Sequence, residues 1–210
     1  MNSFSEDQQD PARRVRLVAL GDELLAGAGD AKALGWLGRA VARHNDGQAR
    51  VDVFTAAMPR ETTAQLAVRW QEDLERLIER DEEYPTDHRV VLSLGSADVD
   101  SGLSLARSRL NLATVLDGLE RYKFPTFVVG PAPSADRAKT EKVFELSGAF
   151  NDVCARRRIP YVDPVAALMH HEQYMGDVAR SERDIPTQTG YGLIAWLVLH
   201  SDFSQFLEPR

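Results

Sequence analysis

The 210-residue sequence has little that would indicate export, a membrane span or a nucleic-acid partner. Cys154 is its only cysteine, which excludes an intrachain disulfide and a sulfur-ligated metal cluster. No apolar run is long enough to cross a bilayer, and residues 1–10 lack the basic head and apolar stretch of a secretory signal. The 25 basic residues are outnumbered by 32 acidic ones, so we expect no basic surface for nucleic acid. We therefore expect a cytoplasmic protein that neither inserts into membranes nor binds nucleic acid.

What the sequence does contain is a regular alternation of short apolar runs with longer amphipathic segments. The predicted strands cover 15–20, 51–54, 89–94, 126–129 and 160–163, and the predicted helices cover 33–44, 62–82, 103–122, 139–158 and 189–199. This alternation is typical of an α/β protein with helices on both faces of a parallel sheet. We predict a three-layer α/β/α, doubly wound, flavodoxin-like fold with strand order 2-1-3-4-5. A flexible tail, residues 1–14, precedes a single domain of residues 15–210.

The first predicted strand indicates where a functional site would lie. Val15–Leu20 is almost entirely apolar and stops abruptly at Gly21 and Asp22, as a central strand buried on both faces does. Open α/β sheets bind their ligands at the carboxyl ends of such strands. The residue that follows this turn is Glu23, and comparable turns follow the third and fourth strands. We therefore place the candidate site at this edge of the sheet.

Four short blocks, in this order, resemble the GDSL or SGNH family of serine esterases and acyl hydrolases. The first is Gly21–Leu24, which reads Gly-Asp-Glu-Leu where the family has Gly-Asp-Ser-Leu. The second is Arg60, in the place of a family glycine shortly before a Thr-Thr-Ala helix start. Gly95–Asp98 corresponds to Gly-x-Asn-Asp, and Glu182–Pro186 with Gly190–Tyr191 corresponds to Asp-x-x-His-Pro and Gly-Tyr. The resemblance covers nearly the whole chain and implies the same α/β/α fold.

The resemblance places each catalytic residue of the family on a position where this chain has a different residue. Serine is replaced by Glu23, glycine by Arg60, asparagine by Ala97, aspartate by Glu182 and histidine by Ile185. A serine attacks a carbonyl only when a base takes its proton, and each oxyanion donor contributes roughly 3–4 kcal/mol. Glu23 and Ile185 supply neither hydroxyl nor imidazole. The resemblance thus implies a family frame without the serine-esterase machinery. The frame is kept in Asp22, Gly95, Asp98, Pro186, Gly190 and Tyr191.

We predict a non-catalytic binding or scaffolding domain that binds a small molecule or a protein partner and needs no cofactor or metal. The alternative is an ester hydrolase that uses non-standard residues. Its candidates are Glu23, Asp98 and Asp184 as acid, base or nucleophile, or a relocated serine, Ser96 or Ser101, with His170 or His171. A third hypothesis is a purely structural subunit of a larger assembly. The sequence leaves the ligand and the oligomeric state open.

Three further expectations concern particular residues. Glu23 and Arg60 bring opposite charges to one small pocket, so we predict an ion pair between them, packed under Ile185. Trp36, Trp70 and Trp196 fall on apolar helix faces and are predicted to lie in the core. The glycines at positions 27, 29 and 35 do not complete a dinucleotide-binding motif, so we predict no nucleotide loop there.

Overall fold

The computed structural model of the chain describes residues 14–45, 51–78, 86–181 and 183–209. Five parallel strands form one sheet in the order β2-β1-β3-β4-β5, which confirms the predicted order. The strands are β1 Arg14–Gly21, β2 Val51–Ala57, β3 Thr86–Ser93, β4 Thr126–Val129 and β5 Tyr161–Val162. In the register of the sheet, Leu17 of β1 lies between Val53 of β2 and Arg89 of β3. Residues 1–13 of the predicted tail lie outside the described residues, and Arg14 already belongs to β1.

Helices follow each strand and connect it to the next. They are α1 Glu23–Ala26, α2 Gly35–Asn45, α3 Thr63–Leu77, α4 Ser96–Asp100, α5 Leu105–Arg121, α6 Arg137–Ala155, α7 Pro164–Leu168, α8 Glu172–Ala179, α9 Gln188–Leu199 and α10 Phe203–Leu207. Helix α3 begins with a capping box, in which Thr62 and Gln65 each accept the other's backbone N–H. The helix predicted over 62–82 is observed as α3, which ends at Leu77. Residues 79–85 lie outside the described residues.

The sheet is covered on both faces, which confirms the three-layer prediction. Successive residues of a strand point to opposite faces, so β1 contributes to two cores at once. One core contains Leu17 and Ala19 with residues of α2 and α9, and the other contains Val18 and Leu20 with residues of α3, α5 and α6. All four of these β1 side chains are fully buried. The apolar run of β1 is therefore the reason that this strand sits inside the sheet.

The sharp end of β1 requires a glycine. A Cβ on Gly21 would lie 1.9 Å from the carbonyl oxygen of Ser93 on the neighbouring strand β3. The next residue, Asp22, donates its backbone N–H to the same carbonyl at 3.1 Å. This close approach of two backbones turns the chain out of the sheet and brings residues 22–24 to its carboxyl edge.

The tryptophan prediction is confirmed for two residues and wrong for the third. Trp36 and Trp70 are buried, whereas the side chain of Trp196 is 56% exposed. Helix α9 is apolar on nearly all sides, so its sequence periodicity could not show which side faces the sheet. Cys154 is buried among apolar side chains, and burial raises the pKa of its thiol to about 12. Among the described residues, no helix combines the length and the apolar character that crossing a membrane requires.

Candidate active site

A cleft of about 610 Å³ opens where β1, β3 and β4 end. Its walls come from six segments: Asp22–Leu24, Pro59–Arg60, Ser96–Ala97 with Asp100, Ala132–Ser134 with Lys139, Tyr174, and Arg183–Pro186. Strand β1 and its neighbour β3 diverge into helices on opposite faces here, as expected where ligands bind in open α/β sheets. The cleft therefore lies where the sequence predicted a site.

Asp22 forms the buried floor beside β1. Its carboxylate caps α1 by accepting the backbone N–H of Leu24 at 3.0 Å, and the residue is only 4% exposed. Burial, and next the charge of Glu23, raise the pKa of Asp22 to about 8. Burial thus favours the uncharged form of the Asp22 carboxyl group in the folded protein.

Glu23 occupies the first position of α1 and reaches across the cleft to the loop before α3. Its Oε2 accepts a hydrogen bond from the backbone N–H of Arg60. Arg60 has φ = 56°, a left-handed conformation that glycine adopts more readily than arginine. The backbone conformation therefore supports the alignment of Arg60 with a glycine.

The predicted ion pair between Glu23 and the Arg60 guanidinium is wrong. Within the described residues, Glu23 meets the backbone of Arg60, and no ion pair of either side chain is formed. A backbone N–H is already held in place by the chain, whereas an exposed arginine side chain must lose rotamer entropy to make a surface pair. The cleft is consequently open rather than filled by a charge pair under Ile185.

The block after β3, Gly95–Asp98, has one residue in the cleft and another in the protein interior. Ala97 lines the cleft and offers no hydrogen-bond donor from its side chain. Asp98 is 1% exposed and accepts from both the backbone N–H and the hydroxyl of Thr63, at 2.7 and 2.6 Å. It lines a separate cavity of about 230 Å³. Asp98 therefore anchors the start of α3 and does not face the cleft, which counts against its predicted role as an acid or base.

The segment before α9 forms the opposite wall. Asp184 accepts the backbone N–H of Ala135 at 2.7 Å and the hydroxyl of Ser134 at 2.6 Å. Lys139 lies 3.6 Å from Asp184 and 3.0 Å from Asp100. Ile185 is half-buried on this wall, and Glu182 lies outside the described residues. Ser134 and Lys139 thus tie this wall to the loop after β4.

Asp177 of α8 accepts hydrogen bonds from the turn that leads into α9. It is 4% exposed and accepts the backbone N–H of Thr187 at 2.7 Å, the hydroxyl of Thr187, and the backbone N–H of Gly190 at 3.0 Å. The hydroxyl of Tyr191 donates to the carbonyl of Ala28 at 2.7 Å and so links α9 to the loop after α1. These contacts fix the position of the Arg183–Pro186 wall.

A sequence profile of the GDSL-like Lipase/Acylhydrolase family matches residues 19–193, most of the chain. The chain belongs to this family. Comparison with curated protein sequences gives no significant match. The GDSL-like resemblance predicted from the four blocks is thereby confirmed.

Solved structures of esterases have the same fold as this GDSL-like chain. One is a catalytic mutant of Axe2, an acetylxylan esterase from Geobacillus stearothermophilus, with TM-score 0.73 and 15% identity over 95% of this chain and 99% of that one. Another is the psychrotrophic esterase EstA from Pseudoalteromonas sp., with TM-score 0.67 and 17% identity over 92% and 99%. A lipase/acylhydrolase from Enterococcus faecalis has TM-score 0.69 and 22% identity over 93% and 98%.

In this GDSL-like frame, the other predicted catalytic candidates are dispersed. Ser96 lines the cleft, but Ser101 lies at the exposed end of α4. The Nδ1 atom of His171 accepts the backbone N–H of Tyr174 at 3.4 Å and so caps α8. Neither His171 nor His170 lines the cleft. A relocated serine paired with either histidine therefore has no support in the geometry.

The glycine-rich loop after α1 contains a carboxylate where a nucleotide loop would hold phosphate. Asp30 accepts the backbone N–H groups of Lys32, Leu34 and Gly35 at 2.9–3.1 Å. The guanidinium of Arg39 also binds it and, with these donors, holds the pKa of Asp30 well below its usual range. The loop thus satisfies its own donors. Within the described residues, no three Asp, Glu, His or Cys side chains are placed to hold a metal ion.

Sequence reasoning missed three residues of this site. Ser134 and Lys139 line the cleft and Asp177 supports it. Ser134 follows a Gly-Pro-Ala-Pro turn at the carboxyl end of β4, so its place at the sheet edge could have indicated it. Asp177 lies on a helix that no sequence pattern distinguished.

Proposed function

We propose that this chain is a non-catalytic binding domain of the GDSL-like family, whose cleft takes a small ligand without serine-ester chemistry. One observation carries the proposal: Glu23 stands at the nucleophile's position and its carboxylate binds the backbone N–H of Arg60. That N–H corresponds to the family's oxyanion donor, which must be free to stabilise a developing negative charge. A carboxylate bound there both occupies the donor and repels an oxyanion.

The remaining cleft residues support the same proposal. Ile185 stands where the resemblance places the histidine base, and Ala97 where it places the asparagine donor. Glu23 and Asp184 both face the cleft, but both oxygens of Asp184 already accept hydrogen bonds. Acid–base catalysis by this pair would have to break those bonds.

The groups left without partners suggest the chemistry of the ligand. Arg60 and Arg183 line the cleft, are exposed, and make no ion pair within the described part of the chain. The second carboxylate oxygen of Glu23, Oε1, also accepts no hydrogen bond there. Guanidinium groups bind carboxylates and phosphates in bidentate fashion, and a free carboxylate oxygen accepts from a hydroxyl. A small molecule with an anionic group and hydroxyls fits both features.

One observation favours a second candidate, a hydrolase with a relocated nucleophile. The hydroxyl of Ser134 donates to Asp184 at 2.6 Å in the wall of the cleft, a serine beside a carboxylate that could accept its proton. Ser134 is only 3% exposed, however, and its oxygen also accepts the backbone N–H of Asp136 at 3.0 Å. We therefore rank this candidate second.

Esterase assays distinguish the two functions. The purified protein should hydrolyse p-nitrophenyl acetate no faster than a heat-denatured sample, and a serine-directed fluorophosphonate probe should not label it. Glu23→Ser alone should not restore activity, because Ile185 supplies no base and Ala97 no oxyanion donor. Saturable hydrolysis that is lost in Ser134→Ala or Ser96→Ala would overturn the proposal in favour of the hydrolase.

Calorimetry with glucose 6-phosphate, glucose and inorganic phosphate tests whether the cleft binds an anionic ligand. Glucose 6-phosphate should bind more tightly than either fragment, and Arg60→Gln or Arg183→Gln should weaken it by roughly tenfold, the effect of a lost charged hydrogen bond. Arg107→Gln, which changes an exposed arginine of α5 outside the cleft, is the matched control. Equal binding of glucose and glucose 6-phosphate would contradict the anionic ligand.

A further inference from the structure

Helix α9 leaves one large apolar side chain, Trp196, outside the core. Tyr191, Ile194 and Val198 face the sheet and are fully buried. The other side of the helix carries Trp196, which is 56% exposed, whereas the half-buried Leu197 packs against the core. A helix that is apolar all round normally lies buried on every side.

Beside Trp196, a groove of about 740 Å³ runs between α9 and α2. Its residues include Gly192, Trp196 and Leu199 of α9 together with Arg43 and His44 of α2. No atom lies within 4 Å of the place where a Cβ on Gly192 would stand, so the groove is open at this point. We call it the α2–α9 groove. It shares no residue with the cleft at the carboxyl edge of the sheet.

The charge of the α2–α9 groove is opposite to that of the whole chain. None of the described residues that line it is acidic, although the chain carries 32 acidic and 25 basic residues. Arg43 makes no ion pair within the described part, whereas Arg39 is bound to Asp30. His200 packs against the Trp196 ring at a centroid distance of 4.0 Å. The groove therefore combines an exposed aromatic side chain with an arginine, Arg43, that makes no ion pair within the described residues.

We propose that the α2–α9 groove binds a segment of another protein that presents a large apolar side chain flanked by carboxylates. The apolar side chain lies in the open space at Gly192, against Trp196, while one carboxylate pairs with Arg43 and another accepts a hydrogen bond from His44. Tryptophan and arginine are the residues most enriched where interfaces gain most of their binding energy. This proposal does not depend on what the cleft binds.

Charge separates this occupant from a second copy of the chain. In a two-fold dimer through the groove, the basic rims of both copies, each with Arg43, would enter one interface, and each chain has a net charge of -7. Like charges placed opposite one another at an interface oppose association. An acidic, amphipathic segment satisfies both the apolar and the basic part of the groove.

A glycine substitution tests the groove without disturbing the fold. Gly192→Leu fills the open space on a helix, where leucine is favoured over glycine. Gly148→Leu is the matched control, because Gly148 also lies on a helix, α6, with no atom within 4 Å of its Cβ position. Arg43→Glu reverses the charge at the rim while leaving the apolar part intact.

The probe is a fluorescein-labelled synthetic peptide with Leu and Glu at helical spacing, compared by anisotropy with a peptide in which Lys replaces Glu. The Glu peptide should bind, and Gly192→Leu and Arg43→Glu should each weaken it by about tenfold or more, while Gly148→Leu has no effect. Binding should also shield Trp196 from acrylamide quenching, since Trp36 and Trp70 are buried. Equal binding of both peptides, no binding of either, or an unchanged Gly192→Leu variant would overturn the proposal. So would a dimer in analytical ultracentrifugation that Gly192→Leu abolishes, since it would assign the groove to a second copy.

Discussion

Three buried aspartates beneath and beside the cleft, which we call the floor, differ from the cleft surface in what their residues do. These residues, Asp22, Asp98 and Asp177, are each at most 4% exposed and accept hydrogen bonds from backbone N–H groups at the starts of α1, α3 and α9. At the surface, Glu23 and Arg60 share a single hydrogen bond. In the alignment predicted from the sequence, two of the three floor residues, Asp22 and Asp98, match the family blocks, and the surface residues Glu23 and Arg60 differ from them.

The difference indicates which family residues are needed for folding. A buried side-chain oxygen that accepts from a helix N-terminus cannot be removed without leaving an N–H group unpaired in the interior. A nucleophile or an oxyanion donor at the surface has no such structural partner. If the chemistry is lost, as we propose, the reason to keep serine and histidine goes with it, but the reason to keep the aspartates beneath them remains.

Replacement of Asp98 should be the most destabilising of the substitutions. Asp98→Ala removes two hydrogen bonds to Thr63 and leaves the backbone N–H of Thr63 buried without a partner. We expect a loss of about 3 kcal/mol in the free energy of unfolding, measured by urea denaturation. Glu23→Ala, at the surface, should change it by less than about 1 kcal/mol. Similar losses for both variants would break the distinction between floor and surface.

The pH dependence of stability should report on Asp22. Its pKa is raised from 3.8 to about 8 in the folded protein, so the folded state keeps a proton that the unfolded state releases above pH 3.8. Stability therefore falls as the pH rises from about 4 to about 8, by at most about 1.4 kcal/mol per pH unit, and levels off above that range. Asp22→Asn keeps the oxygen that caps Leu24 but cannot ionise.

Urea denaturation of both proteins between pH 5 and pH 9 measures this difference. The advantage of Asp22→Asn over the parent protein should grow up to about pH 8. In the Glu23→Gln variant, the free energy of unfolding should fall less with rising pH than in the parent protein. The reason is that the charge of Glu23 is the second cause of the raised pKa of Asp22. Parallel pH profiles for the parent protein and Asp22→Asn would contradict an uncharged Asp22.

The sequence predicted the fold and the position of the cleft, because both follow from local patterns. Apolar runs such as Val15–Leu20 mark buried strands, and the turns after them mark the sheet edge. The contact of Glu23 could not be predicted, because it depends on the left-handed backbone of Arg60. The exposure of Trp196 could not be predicted either, because a helix that is apolar on all sides has no periodicity to orient it.

The smallest expected effect concerns the charges of Glu23 and Arg60. A double-mutant cycle with Glu23→Gln and Arg60→Met removes both charges, but it keeps a carbonyl acceptor at position 23 and a backbone N–H at position 60. Because the structure joins Glu23 to that N–H, the two substitutions should be additive within about 0.5 kcal/mol. A buried ion pair would instead leave an uncompensated charge in each single variant and couple them by several times that amount. Strong coupling would therefore place the guanidinium on the carboxylate, close the cleft, and remove the arginine that we assign to an anionic ligand.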